Sequence, residues 1–484
     1  MGVVVSQSIK NTIATYIGFL IGGINVLFLF TNFLSDAYFG LIQYIFSTAA
    51  IMMPLMAFGV HNTLVKFYSL FKTRQSQNSF LTLMLILPLF IAIPFGLIGY
   101  MCFNTISDWL TSENEIIKDY IWLIYISAVF FAYFEVFYAW SKVQMRSVFG
   151  NFMKEIFHRL STTVLLFALY FEILTVNQLI YALVMVYFIR TAAMALYAFS
   201  LRFPKISFRR LSNVSSILKY SALIIIAGSI ASVILEIDKF MIGHYIKIEN
   251  VAYYAVAIYI ASVVGVPSRA MHQITYPLTA KLLNEKNSVE LKLLYQKSSL
   301  TLLIVSGLIF LLIVLNINEL YFLIPEKFRG GIVVVFLIGL AKLFDNVLGN
   351  NNAILFNSDH YRMVLVLGVG LVIITVILNA IFIPKYGAIG AAYATFISVI
   401  TYNISKVIFV NHWFNILPFT INTLKVCVLI ALFFCSFYFW DFPFHPIINI
   451  LLKSVIISTL YMLLVLYFRL SDDITSTMKK IIKF

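Results

Sequence analysis

Charge is what this chain has least of. Its 20 acidic and 34 basic side chains amount to 11% of 484 residues, too few to solvate a water-soluble fold of this length or to keep a chain disordered. Cysteine is rarer still. Cys102, Cys427 and Cys435 all lie in apolar runs, which excludes a secreted disulfide scaffold and leaves them as packing residues. The sequence also has no glycine-rich phosphate loop, no metal-ligand spacing and no nucleophile motif, so nothing in it points to catalysis.

What is present is apolar: 62% hydrophobic residues and a mean hydropathy of +0.96. Fourteen apolar runs bounded by polar clusters fall at roughly 12–33, 40–60, 79–103, 119–139, 155–171, 177–199, 217–236, 250–272, 298–317, 332–355, 361–383, 388–410, 421–439 and 447–468. At about 20 residues per helical span, fourteen spans leave only loops and tails over. The runs are continuously apolar and too long for barrel strands, which alternate over about ten residues. The chain is expected to be an all-α polytopic membrane protein with about 14 transmembrane helices. Met1–Lys10 and the long apolar run behind it read as a first transmembrane helix, since the run exceeds a signal-peptide core.

The basic excess is distributed along the chain. With the N-terminus inside, the inner segments sum to +18 and the outer ones to −6, the asymmetry that orients membrane proteins. Both termini are therefore expected on the cytoplasmic side, and the excess is read as facing anionic lipid rather than nucleic acid. The most basic inner segment, Arg202 to Lys219, divides the chain. The reading is an N-terminal six-helix lobe at 1–200, a basic linker at 201–216, a second six-helix lobe at 217–410, and a helix pair with a cytoplasmic tail at 411–484. Six is even, so the lobes have parallel topology around a central cavity. A shift of about 213 aligns Pro54 with Pro267 and Val60-His61-Asn62 with Met271-His272-Gln273, as in transporters built from internal repeats. The commonness of Pro and Tyr in membrane helices is the plainer explanation.

Several stretches carry a resemblance. They are Leu34-Ser35-Asp36-Ala37-Tyr38-Phe39-Gly40 with Gly59-Val60-His61-Asn62, then Glu236-Ile237-Asp238-Lys239-Phe240-Met241-Ile242-Gly243 with Tyr276-Pro277-Leu278, and Leu378-Asn379 with the run Ile383 to Thr395. They are similar to the polysaccharide-repeat flippases, of O-antigen and exopolysaccharide type, in the superfamily that also holds multidrug-and-toxin extrusion transporters and the peptidoglycan-precursor flippase. The resemblance implies a flippase that carries a polyprenyl-diphosphate-linked oligosaccharide from the inner to the outer leaflet of a bacterial cytoplasmic membrane by alternating access. It implies a proton or sodium gradient, no cofactor besides that ion, and membrane lipids, a polysaccharide polymerase and glycosyltransferases as partners.

An anionic diphosphate and a polar glycan do not cross hydrocarbon unaided, so such a transporter needs a wet, cationic lining. An ionisable group at the bilayer centre costs about 2.5–3.5 kcal/mol on insertion scales and calls for a reason. Lys342 lies about 15 Å into its span, and Asp345, Asn346, Gly349 and Asn352 follow at helical spacing. Lys342 is a candidate for the diphosphate and Asp345 for the coupling cation; an internal Lys342–Asp345 pair is the structural alternative. Arg190 can hold two phosphate oxygens at once, or else snorkel to the interface. Glu135 is expected to bind a proton or to pair with Arg190. Arg269, His272 and Gln273 share one face at the end of the eighth span, and Glu155, His158 and Arg159 one at the start of the fifth. Both sets suit an inward vestibule, and equally a positive-inside flank. Asn25, on a stripe with Gly18 and Gly22, reads as close helix packing or as part of a gate; with Asn346, His272 and Gln273 it makes up the candidate polar lining.

Two other functions compete. A membrane glycosyltransferase or polymerase would need acids and bases on a sizeable outer loop, and residues 104–118 hold no His or Arg. A cation-extruding antiporter would want an anionic cavity, whereas Arg190, Lys342 and Arg269 outnumber Glu135 and Asp345. The orientation is testable with single cysteines at Ser212 and Glu113 in a background lacking the native cysteines. In intact cells a membrane-impermeant thiol reagent should label Glu113→Cys and spare Ser212→Cys; the reverse pattern overturns the topology.

Overall fold

The computed structural model describes residues 2–203, 205–207 and 214–476. Arg209, Arg210 and Ser212 of the expected linker, and the tail lysines Lys479, Lys480 and Lys483, lie outside the described residues. All regular structure among the described residues is helical. Eleven helical segments are long and apolar enough to cross a membrane, and Val214–Ile225 and Ile421–Phe437 are shorter apolar stretches. Large hydrophobic side chains such as Phe90, Leu97, Leu196, Leu223, Val366 and Leu451 are exposed on these helices, which water would penalise and a lipid solvent would not.

Met1–Ala255 forms one compact unit. Its main helices are α1 (Gly2–Ile24), α2 (Asp36–Met56), α3 (Val60–Phe67), α4 (Arg74–Met101), α5 (Ile121–Val143), α6 (His158–Tyr170), α7 (Val176–Leu201), α8 (Val214–Tyr245) and the start of α9 (Glu249–Ser262). Local chemistry sets the starts: Ser35 and Thr73 accept backbone N–H bonds at the heads of α2 and α4, and Thr175 with Gln178 forms a capping box on α7. Val60, Phe80, Met84, Phe134, Trp140, Met194 and Ile217 share one core.

The stretch at 217–236, expected to open the second half, lies in α8 and packs against α2 within this first unit. Close backbone approach is the reason. Pro54 and the left-handed Gly59 (φ 62°) break the helix between α2 and α3, and a Cβ on Gly59 would collide with Ser221 O and Ile224. Thr63 Oγ1 and Ser221 Oγ lie 2.7 Å apart across the same contact. Farther along, Tyr44 stacks on Phe240, and the Asn114 amide donates to Gly243 O (2.8 Å) and Ile246 O (2.9 Å) while accepting from Ile248 N. The helix also runs past 236 to Tyr245, so Glu236 and Asp238 sit in it rather than in an outer loop. Lys239 pairs with Glu236, and Tyr254 Oη donates to Asp238 at 2.5 Å. Stretches that carried the sequence resemblance are thus helix-packing devices.

Val256–Phe484 forms the other compact unit. After a 3-10 turn at Val263–Gly265 come α10 (Val266–Asn284), α11 (Ser288–Leu315), α12 (Ile332–Val347), α13 (Tyr361–Tyr386), α14 (Ala388–Phe414), α15 (Ile421–Phe437) and α16 (Pro446–Tyr467). The C-terminal pair α15 and α16 shares the core of this unit: Phe310, Leu311, Val426, Phe433 and Ile457 form one cluster, and Tyr461 Oη donates to Ile304 O. In the loop ahead of α16, Asp441 accepts from the Lys453 ammonium of that helix at 2.8 Å, which holds the carboxyl below its ordinary range.

The repeat extends well beyond the aligned prolines. α2 and α9, α4 and α11, α5 and α12, α7 and α14 begin about 213 residues apart. Even the six-residue 3-10 turns Glu115–Tyr120 and Glu326–Gly331, which lead into α5 and α12, recur at that interval.

Candidate functional site

In the first unit, a polar cluster forms where α5, α7 and the residues leading into α6 meet. Arg190 sits mid-helix on α7 and is only 7% exposed. Its guanidinium carbon lies 4.1 Å from the Phe134 ring, 4.8 Å from Tyr187 and 5.5 Å from Phe131. Thr191 Oγ1 donates to Phe130 O at 3.0 Å and fixes α7 against α5 beside it. Aromatic faces stabilise a cation by about 0.5–2 kcal/mol each, comparable with the cost of the buried charge, yet they accept none of the in-plane N–H donors. Arg190 Nε has no hydrogen-bond partner, and the side chain forms no ion pair among the described residues. Arg190 is therefore enclosed by aromatic side chains of α5 and α7.

Glu135 does not pair with Arg190, the partner expected as an alternative. Lys154 Nζ reaches it at 2.6 Å, from the π-helical turn Met153–Phe157 ahead of α6; such turns re-aim side chains and recur at functional sites. Lys142 and His61 share Glu135's electrostatic neighbourhood, with Lys142 Nζ 3.8 Å over the Tyr138 ring. Arg159 turns onto Glu155, 3.1 Å from its carboxylate, and the His158 ring is tilted 30° against Tyr187, centroids 5.8 Å apart. Asn25 lies in a π-helical turn after α1, donates to Arg159 O (2.8 Å) and accepts from Thr163 Oγ1 (2.7 Å). Gly18 is pressed against the backbone of Glu155. Asn25 and Gly18 together lock α1 and the turn after it onto α6 and the turn ahead of it.

In the second unit, Asp345 does not pair with Lys342, the structural alternative expected from the sequence. Its partner is Lys406 of α14, whose Nζ lies 3.4 Å from Asp345 Oδ1, 3.1 Å from Asn352 Oδ1 and 4.4 Å from the Tyr402 ring. Lys406 is 1% exposed inside the helix, a burial that the Asp345 carboxylate on another helix makes tolerable. Lys342, one turn before Asp345, forms no hydrogen bond or ion pair among the described residues. Asn346 is consumed by packing: its amide donates to Val264 O (2.8 Å) and Ser306 Oγ (2.7 Å). His272 Nε2 faces Gly349 O at 3.3 Å, and Arg269 and Gln273 are exposed on α10.

Sequence reasoning missed Lys154 and Lys406 as partners of the deep carboxylates, because each lies near a polar boundary and on another helical segment.

These features belong to a known architecture. The family described as polysaccharide biosynthesis protein matches residues 4–283, more than half of the chain. No curated protein matches it. The fold is that of a lipid II flippase, MurJ, in an inward closed conformation, with a TM-score of 0.73 at 14% identity over 95% of this chain and 99% of that one. An inward-facing multidrug resistance MATE family transporter of the MOP superfamily shares it at TM-score 0.60 and 14% identity, over 89% and 95% of the two chains. The Vibrio cholerae MATE transporter VcmN does so at 0.54 and 12%, over 91% and 100%. At such identities the likeness is one of fold.

The Asp345–Lys406 pair yields a stability test. Breaking a buried pair costs about 3–5 kcal/mol and an exposed one about 1 kcal/mol or less. With Lys406 at 1% and Asp345 at 42% side-chain exposure, Asp345→Asn should fall between these limits. Adding Lys406→Met should recover most of the loss, read as the thermal midpoint of purified protein. A double variant no more stable than the single would show that the pair does not hold α12 to α14.

Proposed function

The chain belongs to the polysaccharide biosynthesis protein family, and from that premise we propose that it is a flippase for polyprenyl-diphosphate-linked oligosaccharide repeat units. It acts by alternating access in a bacterial cytoplasmic membrane, with fourteen crossings, both termini cytoplasmic and the helical repeat as its two lobes. The product feeds O-antigen or exopolysaccharide assembly, which gives a polysaccharide polymerase and glycosyltransferases as functional neighbours. The observation that carries the reading is a charge imbalance. Among the described residues Glu135 and Asp345 are each taken by a lysine, while Arg190 and Lys342 stand without a counterion.

A buried cation with open donors recruits an anion, and a diphosphate offers several oxygens to a guanidinium. In this reading Arg190 and Lys342 bind the diphosphate, with Arg159 and Arg269 drawing the lipid headgroup in from the cytoplasmic side. His272 and Gln273 contribute polar lining. Glu135 and Asp345 couple to a proton or sodium gradient: each is ion-paired, and cation binding at the carboxylate releases its lysine. The fold is also that of multidrug transporters, but the unpaired charge is of the wrong sign for a cationic drug.

The test is leaflet exchange in liposomes. Purified protein should move a fluorescent polyprenyl-diphosphate sugar across the bilayer, faster with an imposed proton or sodium gradient, and leave a cationic dye untransported. Movement of the dye and not of the lipid-linked sugar would replace this reading with cation extrusion.

A further inference from the structure

The repeat brings more than backbone. His61, Glu135 and Arg190 in the first unit recur as His272, Asp345 and Lys406 in the second, again about 213 residues on. The acids lie on α5 and α12, and the cations on α7 and α14, which pack on those helices. Each histidine shares its acid's electrostatic environment. The copies differ in the further cations around each acid: Lys142 and Lys154 have no basic counterpart about 213 residues on, where Leu355 and Leu367 stand, and Lys342 has none in the first copy, where Val129 stands. Lys154 stands 2.6 Å from Glu135 in the first, whereas the position about 213 residues on is Leu367, and α13 has no basic residue between Arg362 and Lys385. Correspondingly, Asp345 captures Lys406, its own copy's cation, while Glu135 leaves Arg190 unpaired although the two act on each other electrostatically.

We infer that the halves carry one duplicated acid–cation site, and that Lys154 is the positioning residue that turns the first copy into an anion site by taking Glu135 from Arg190. The ligand class is a phosphate or diphosphate group. This rests on the anionic-substrate reading above and adds the device that makes it work. Without Lys154, the first copy relaxes to the arrangement of the second, in which carboxylate and cation satisfy one another. Lys142 does not substitute, because its ammonium is engaged over Tyr138. The carboxylate is then the neutralising element, and removing it as well returns the guanidinium to its ligand.

The experiment measures binding of inorganic pyrophosphate to the purified full-length protein by calorimetry, with size-exclusion profiles confirming that each variant is folded. Lys154→Met should weaken binding by about tenfold or more. Lys154→Met combined with Glu135→Gln should return it to within about threefold of the parent, and Lys154→Arg and Glu135→Gln alone should bind as the parent does. Unchanged binding in Lys154→Met overturns the inference, as does a double variant that stays weak, since Lys154 is then either irrelevant or a direct ligand or structural support. If Lys154→Met fails to fold, Glu135→Gln decides: weakened binding there contradicts the assignment of Glu135 as the neutralising group. A parent protein that does not bind pyrophosphate removes the anion site itself, and the proposed substrate class with it.

Discussion

A charge placed deep in an apolar helix must find a counter-charge, a polarisable cage or a ligand, because the hydrocarbon around it supplies none. Most of what distinguishes this molecule follows from how its few deep charges meet that constraint. Glu135 and Asp345 each draw a lysine from another helical segment, and those pairs tie α5 to the turn ahead of α6 and α12 to α14. Arg190 takes the second solution, three aromatic faces. That solution compensates the charge but not the hydrogen-bond donors, so the side chain is stable where it stands and still able to bind.

The remaining architecture keeps the helices close enough for such pairs to form. Gly40 meets the backbone of Ile248, Gly150 the ring of Tyr138, and Gly390 the carbonyl of Phe382, and at each a side chain would force the helices apart. Small residues permit this approach in membranes, where association relies on packing rather than on expelling water. Gly59, Gly349 and Gly387 add left-handed turns at helix breaks, and the polar groups freed there are met by neighbours: Ser298 Oγ accepts from Asn350 N beside Gly349.

Much of the fold was legible because hydropathy is a property of contiguous residues. Each of the fourteen expected intervals overlaps a helix, eleven helical segments among the described residues being long and apolar enough to cross a membrane, and the repeat of about 213 residues, hinted at by Pro54 and Pro267, extends to 3-10 turns that no pattern marked. Depth along a helix was legible too: Lys342, Asp345, Arg190 and Glu135 were singled out by position alone. The identity of the neighbour was not. That Lys154 and Lys406 reach the two acids, and that the Asn346 amide packs on Val264 and Ser306, depend on helix rotation and on contacts between helices, which hydropathy does not report. The end of α8 was missed for a related reason. Glu236, Asp238 and Lys239 interrupt the apolar run, but they satisfy each other and Tyr254, so the helix continues through them.

The central claim is that two unpaired cations select a lipid by its diphosphate. It is tested most directly by comparing the affinity of the purified protein for a short-chain prenyl diphosphate sugar, the matching prenyl monophosphate sugar and the uncharged prenyl glycoside, in the parent and in Arg190→Gln, Lys342→Gln. The account predicts affinity falling in that order for the parent, with the differences collapsing to within about threefold in the double variant as its bidentate and point-charge donors are lost. Equal affinity of the parent for all three lipids, or an undiminished preference for the diphosphate in the double variant, would contradict it.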